Sequence, residues 1–204
     1  RGVQVREGGP WLTMWMRTDE RKEGIESLHK TYQFILEIHE DNYSWKWAII
    51  SLHNSAQAFM VLSLKGTANF NIIKEPEKFF DAIQNGKKCP RQYLLNFCKL
   101  YKNVKSQKKM GKNYPGSKES DCAMEILNEI RNNFIHFIPC NWSIELLMLP
   151  GIFKQVLSVI EFLILESGNV RFYDNDEDEK KCLSELIEKI RAELNQLESE
   201  YAIH

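Results

Sequence analysis

Between Tyr43 and Lys65 the chain carries Trp45, Ile49, Leu52, Ala56, Phe59 and Leu62 at helical spacing. Further apolar residues occupy the neighbouring positions, and Gly66 stands where a helix stops. A helix that is apolar on much of its circumference has to be surrounded by other elements, so this one belongs at the centre of the fold. Ser51, His53, Asn54, Ser55 and Gln57 interrupt it. A helix packed on several sides must satisfy whatever polar groups it buries, so these residues are either surface and satisfied core or the lining of a site.

The rest of the chain supplies the surroundings. Thr18-Asp19 in capping position opens a helix to about Asp41, with Ile25, Leu28, Tyr32, Ile35, Leu36 and His39 on one face. A short helix is expected near Pro76 to Asn85, closed by Asn85-Gly86. Another is expected from Gln92 to about Lys105, with Leu94, Phe97, Tyr101 and Val104 as its stripe. After a polar loop at 106–119, Ala123, Ile126, Leu127, Ile130, Phe134 and Phe137 mark a helix from about Asp121 to Phe137. Pro139 ends it, because the residue before a proline is pushed out of helical geometry. The segment Asn141 to Leu149, bounded by Pro150-Gly151, precedes a helix from Ile152 to about Glu166. An acidic linker from Asp174 to Glu179 leads into a last helix with Leu183, Leu186, Ile190, Leu194 and Leu197, which could pack on the domain or pair with another chain. No strand pattern stands out. The expected fold is all-α: an antiparallel bundle of four to five helices at 16–168, an unstructured arm at 1–15 broken by Gly8-Gly9-Pro10, and an acidic linker with an additional C-terminal helix at 169–204.

With 43% hydrophobic and 27% charged residues, the 204-residue chain is globular, and its formal net charge of -1 gives no global attraction to polyanions. The five cysteines, at 89, 98, 122, 140 and 182, contain no CxxC pair, which suits a reducing compartment. The apolar stretch at 11–16 is too short for a secretory signal. The best apolar run, Val156 to Leu165, is short and contains Glu161, so no membrane role is expected and the expected location is cytoplasmic. No His/Cys/Asp/Glu set has metal-ligand spacing, and there is no Walker loop, Gly-x-Ser-x-Gly elbow or dinucleotide fingerprint. Neither metal nor cofactor is expected.

Chemistry concentrates in the run Arg131-Asn132-Asn133-Phe134-Ile135-His136, at the end of an amphipathic helix. Arg131 and His136 are expected outside the buried stripe, and Arg131 has no carboxylate three or four residues away to pair with. An arginine, an amide and a histidine suit RNA cleavage without metal: the guanidinium neutralises phosphate charge and the imidazole moves a proton near neutral pH. In an ideal helix Arg131 and His136 are about 140° apart and separated by about 7.5 Å along the axis, so one helix alone does not converge them. Distortion of the helix near Pro139, or two such helices meeting at a dimer axis, would bring them around one phosphate.

The Arg-x4-His spacing with Asn directly after the Arg, on a late helix of an all-α bundle, resembles the HEPN superfamily. The similarity extends over Trp45 to Gly66, where Ser51-Leu-His-Asn-Ser-Ala-Gln-Ala-Phe with Lys65-Gly66 looks like the family's second helix, and over Asp121 to Leu165. The sequence from His136 through Pro139, Trp142 and Glu145 is similar to a subgroup of HEPN-like bacterial proteins. The resemblance implies a dimerising helical bundle and a metal-independent endoribonuclease of a toxin or defence system. In it Arg131, Asn132 and His136 are catalytic, and cleavage leaves a 2′,3′-cyclic phosphate. RNA, a second copy of the chain and a cognate antitoxin or defence-system partner are the implied partners. In HEPN toxins paired with a nucleotidyltransferase antitoxin, a Tyr receiving the modification often stands two residues after the motif His; here Ile138 holds that position, and control by that route is not implied.

From Lys87 to Lys118 there are ten basic residues and no Asp or Glu. Lys99, Lys102 and Lys105 repeat opposite the apolar stripe of their helix, followed by Lys108 and Lys109, with Tyr101 and Tyr114 near enough in sequence to stack on bases. These five lysines are the expected RNA-binding set, and the alternative is a solubilising surface. At the level of function, the alternatives are a catalytically inactive HEPN-like dimer that binds nucleic acid or nucleotide, and a helical interaction protein working through its C-terminal stripe.

Overall fold

The computed structural model describes residues 15–66, 69–136, 139, 141–172 and 176–203. Among the described residues seven α-helices follow one another: α1 (Glu20–Glu37), α2 (Ser44–Leu64), α3 (Pro76–Gln84), α4 (Phe97–Val104), α5 (Lys118–His136), α6 (Met148–Glu161) and α7 (Asp176–Tyr201). The last turn of α6 widens into a π segment, Phe162–Glu166, whose geometry shows in the bond from Ser167 N to Phe162 O, 2.9 Å. Among the described residues there is no strand, only an isolated antiparallel bridge between Ile73 and Leu94. The chain is all-α.

Helix α2 is the centre. It packs against α1, α4, α5 and α6 and buries Trp45, Ala48, Ile49, Leu52, Ala56, Phe59, Met60 and Leu64, as a helix apolar on most sides must. Its tightest contact is with α1. A Cβ on Gly24 would meet the Phe59 ring at 3.1 Å, and Ser55 Oγ donates to Gly24 O at 2.9 Å. The missing side chain lets the two helices close on Phe59, whose full burial contributes about 1.5–3 kcal/mol. Ser55 is thus satisfied core.

Helix α1 begins where its cap predicts, with Asp19 Oδ1 accepting from Lys22 N at 2.8 Å, but it ends at Glu37 and not Asp41. The turn to α2 is held by Asp41 Oδ1, which accepts from Tyr43 N at 2.8 Å. The helix expected from Gln92 begins only at Phe97. Residues before it run extended, with Lys74 N donating to Tyr93 O at 2.8 Å and Leu95 N to Ile72 O at 2.7 Å, and the Asn96 side chain caps α4. Pro150 and Gly151, expected to bound α6, lie inside its first turn, where a proline's missing N–H removes no helical bond. Helix α7 likewise starts inside the expected acidic linker.

The apolar stripe of α7, including Leu183, Leu186, Ile190, Leu194 and Leu197, is buried in the same core as the other helices, against α1 and α6. Arg191 Nη2 to Glu161 at 2.6 Å and Lys154 to Glu198 at 2.5 Å fasten it to α6. Met148–Glu166 as one continuous helix is long and apolar enough to cross a membrane, with mean hydropathy 1.7, whereas only short apolar runs were legible in the sequence. Most of it is buried inside the bundle, as befits a core helix.

Candidate functional site

Helix α5 carries the motif, and its start explains its orientation. Ser117 and Ser120 cap each other reciprocally: Ser120 N donates to Ser117 Oγ at 3.0 Å and Ser117 N donates to Ser120 Oγ at 2.8 Å. From there Ser120, Ala123, Met124, Leu127 and Ile130 face the core. Arg131 stands seven residues after Met124 and four after Leu127, so it continues this stripe and does not fall outside it as expected. The guanidinium is drawn inward. Its Nε is buried and has no hydrogen-bond partner among the described residues, and Nη1 donates to Asn132 Oδ1 at 3.1 Å. Burial pulls the Arg131 pKa below the ordinary arginine value.

Across from this end of α5 lies His53 of α2, 1% exposed. Its Nε2 is 3.2 Å from Asn128 Oδ1, and its ring stacks on Phe97 of α4 at 4.1 Å. Burial, and then the charge of Arg131, push its pKa down to about 4, so the ring is neutral at pH 7. With Nε2–H donating to Asn128, Nδ1 is left as an acceptor, and it too is buried without a partner. A neutral imidazole and a partly buried guanidinium, each with an unpartnered nitrogen, therefore occupy the seam between α2 and α5. His53 was one of the polar interruptions visible in α2, but nothing in the sequence joins it to Asn128 and Arg131.

His136 closes α5 and is exposed. Among the described residues no hydrogen bond joins it to Arg131 or Asn132, and the five-residue spacing along one helix does not converge it with Arg131. Phe137, Ile138 and Cys140, which bear on how the motif helix ends, lie outside the described residues.

The lysines divide. Lys99, Lys102 and Lys108 are exposed, with no ion pair or hydrogen bond of their ammonium groups among the described residues. Lys105 is engaged: its Nζ lies 2.6 Å from both carboxylate oxygens of Asp121, filling space that a side chain on Gly116 would block. Lys109 donates to Asn71 Oδ1 at 3.0 Å, and Lys112 pairs with Glu166 at 2.8 Å. The groove of about 780 Å³ between α4 and α5 is lined by Lys99, Lys102 and Lys105 but also by Asp121 and Glu125, so it is of mixed sign and not uniformly basic. The two tyrosines are not free to stack. Tyr101 is buried, its hydroxyl donating to Asp121 Oδ1 at 2.8 Å, and burial holds its pKa well above the usual phenol range. Tyr114 packs edge-on against Phe162, 5.3 Å between ring centres.

Sequence reading missed a cavity of about 500 Å³ on the other side of the motif, between the α1–α2 turn, the end of α5 and the segment leading into α6. Asn133, Phe134, Tyr43, Lys46 and Trp142 contribute to its walls. The signal was the density of aromatic residues around Tyr43 to Trp47 and at Trp142. Among the described residues no three His, Cys, Asp or Glu side chains are grouped to hold a metal ion.

The fold and site define an all-α bundle with a polar seam beneath an arginine–asparagine pair. No family model, curated protein or solved structure matches the chain.

Proposed function

We propose that the chain is a HEPN-like, metal-independent endoribonuclease that acts as a homodimer in a toxin or defence setting, in the cytoplasm. The observation that carries this reading is the guanidinium of Arg131, tied to Asn132 and only partly solvated, at a helix end that also presents an exposed histidine. A partly desolvated arginine attracts a phosphate more strongly than one in open water, and its fork of donors matches two phosphate oxygens. Arg131 and His136 of one chain stand five residues apart on one helix, a spacing that turns them about 140° from each other, so the site is completed when Arg131 and Asn132 of one chain and His136 of another meet one phosphodiester. There His136 takes the proton of the ribose 2′-hydroxyl or supplies one to the leaving 5′-oxygen. The 2′-oxygen bonds to phosphorus as the P–O5′ bond breaks, giving a 2′,3′-cyclic phosphate and a 5′-hydroxyl. The exposed Lys99, Lys102 and Lys108 then serve as distal contacts to the RNA backbone.

A second reading, a catalytically silent dimer that binds nucleic acid or nucleotide, is favoured by the helical spacing of Arg131 and His136, which does not converge them on one helix, and by the neutral His53 beneath the pair. Incubation with mixed-sequence single-stranded RNA in EDTA separates the two. Wild type is expected to produce cyclic-phosphate ends, and His136→Ala and Arg131→Ala to lower the rate by about 10²–10⁴-fold with helix content intact. Equal cleavage by wild type and both variants would reject the assigned site. RNA binding with no cleavage by wild type would leave the binding module.

A further inference from the structure

The cavity beside the motif combines three properties. Its walls are aromatic: Phe134 and Trp142 meet at 4.7 Å and 65°, and Tyr43 and Trp142 remain 61% and 39% exposed although they sit at a concavity. Leaving large rings wet forgoes burial that a ligand can supply. It also carries the amides of Asn42 and Asn133, each with a donor and an acceptor, and Tyr201 Oη makes a long contact to Asn42 Oδ1 at 3.4 Å. Lastly, Lys46 brings a positive charge to the rim, its Nζ 5.4 Å from the centre of the Tyr43 ring and 5.8 Å from that of Phe134.

Flat apolar faces, amides able to read a polar edge and one cation fit a planar heterocycle joined to a phosphate. We propose that this cavity binds a nucleobase of a nucleotide, stacked against Trp142 and Tyr43, with its phosphate toward Lys46. The volume, about 500 Å³, lies within the range of small-ligand sites, about 300–1,000 Å³. Trp45, which also lines the cavity, donates its Nε1 to Tyr201 Oη at 2.9 Å, so the floor is built on α7 as well as α2 and does not depend on the motif helix alone. Phe134 lies one turn beyond Arg131 on α5, so a base held here belongs to a nucleotide adjacent to the phosphate at Arg131. That the base comes from single-stranded RNA rests on the proposed function; the pocket itself does not.

Calorimetric titration of the full chain tests this with adenosine monophosphate, with ribose 5-phosphate, and with a short 2′-O-methyl oligonucleotide that has no hydroxyl to attack. Adenosine monophosphate is expected to bind measurably tighter than ribose 5-phosphate. Trp142→Ala is expected to weaken its binding by about 5- to 150-fold, the worth of one base–aromatic stack. Tyr43→Ala, at a more exposed ring whose loss the fold tolerates, is expected to weaken it in the same direction. The same losses with the oligonucleotide assign the base to RNA, and losses with the mononucleotide alone assign it to a free nucleotide. Ribose 5-phosphate binding as well as the nucleotide, or affinities unmoved by both substitutions, would overturn the pocket. Because the 2′-O-methyl chain cannot be cut, absence of ribonuclease activity with base binding intact sinks only the catalytic reading.

Discussion

At the first turns of α5, Ser117 and Ser120 cap each other, and Asp121 receives Lys105 and the Tyr101 hydroxyl. Within its last two turns, Arg131 has a buried Nε with no acceptor among the described residues and His136 stands in solvent. One helix thus has an end whose polar groups satisfy one another and an end whose polar groups do not. The first is explained by stability alone. The second lowers stability, since a buried donor without a partner costs about 1–3 kcal/mol, and such strain persists where a ligand can relieve it.

The largest expected effect that sharpens this contrast comes from His53, beneath the unsatisfied end. Its folded pKa of about 4 lies below the ordinary 6.5, so the unfolded chain takes up a proton first as the pH falls. Its contribution to stability is therefore complete above about pH 6.5 and is lost progressively down to about pH 4, by about 3 kcal/mol. Denaturant titrations at pH 7 and pH 4 are expected to show that difference between wild type and His53→Phe, which keeps the stack on Phe97 but cannot be protonated. Curves that stay parallel for the two proteins would mean that His53 is not held neutral by its surroundings.

A smaller pair of effects has opposite signs at the two ends. Arg131→Met removes the orphaned donor from the seam while preserving much of the side chain's volume, and is expected to raise stability by about 1–2 kcal/mol even as it removes the proposed function. Asp121→Asn is expected to lower stability by about 0.5–1 kcal/mol, because the Lys105 contact is half-exposed and screened by water. Thermal melts of both in one buffer decide it. If both destabilise alike, the two ends are not different in kind.

How far the sequence reveals such differences depends on the distance over which a residue's partner lies. Caps and stripes are local, so the limits of α2 and α3, the Asp19 cap of α1 and the central place of α2 could be read from neighbouring residues. The misreading at Gln92 has the same origin. Leu94 and Phe97 are three apart and look helical, but Leu94 is taken into a bridge with Ile73, and the Asn96 cap was the signal that α4 starts later. In the candidate site, Arg131, Asn132 and His136 stand out by residue type, yet the apolar stripe read from the sequence does not include Arg131. The His53–Asn128 contact, whose charge environment Arg131 shares, joins residues 75 apart and exists only by tertiary packing. The same holds for Lys105. A run free of carboxylates reads as a basic face until α5 folds back and supplies Asp121, 16 residues on.

That last distinction carries the smallest expected effect. If RNA follows the α4 side of the molecule, each lysine free to release a counterion steepens the dependence of affinity on salt by about 0.7 for a single strand. Lys99→Ala and Lys102→Ala are each expected to flatten the plot of log affinity against log salt by about that amount. The charge-neutral double change Lys105→Met with Asp121→Asn is expected to leave the slope as it is, because Lys105 already has its counterion in Asp121. Measured on an uncleavable 2′-O-methyl strand, equal flattening by all three proteins would place Lys105 among the RNA contacts after all. No flattening by any would make the α4 lysines a solvated surface and leave the end of α5, with Arg131 and the neighbouring aromatic cavity, as the part of the molecule that meets a nucleotide.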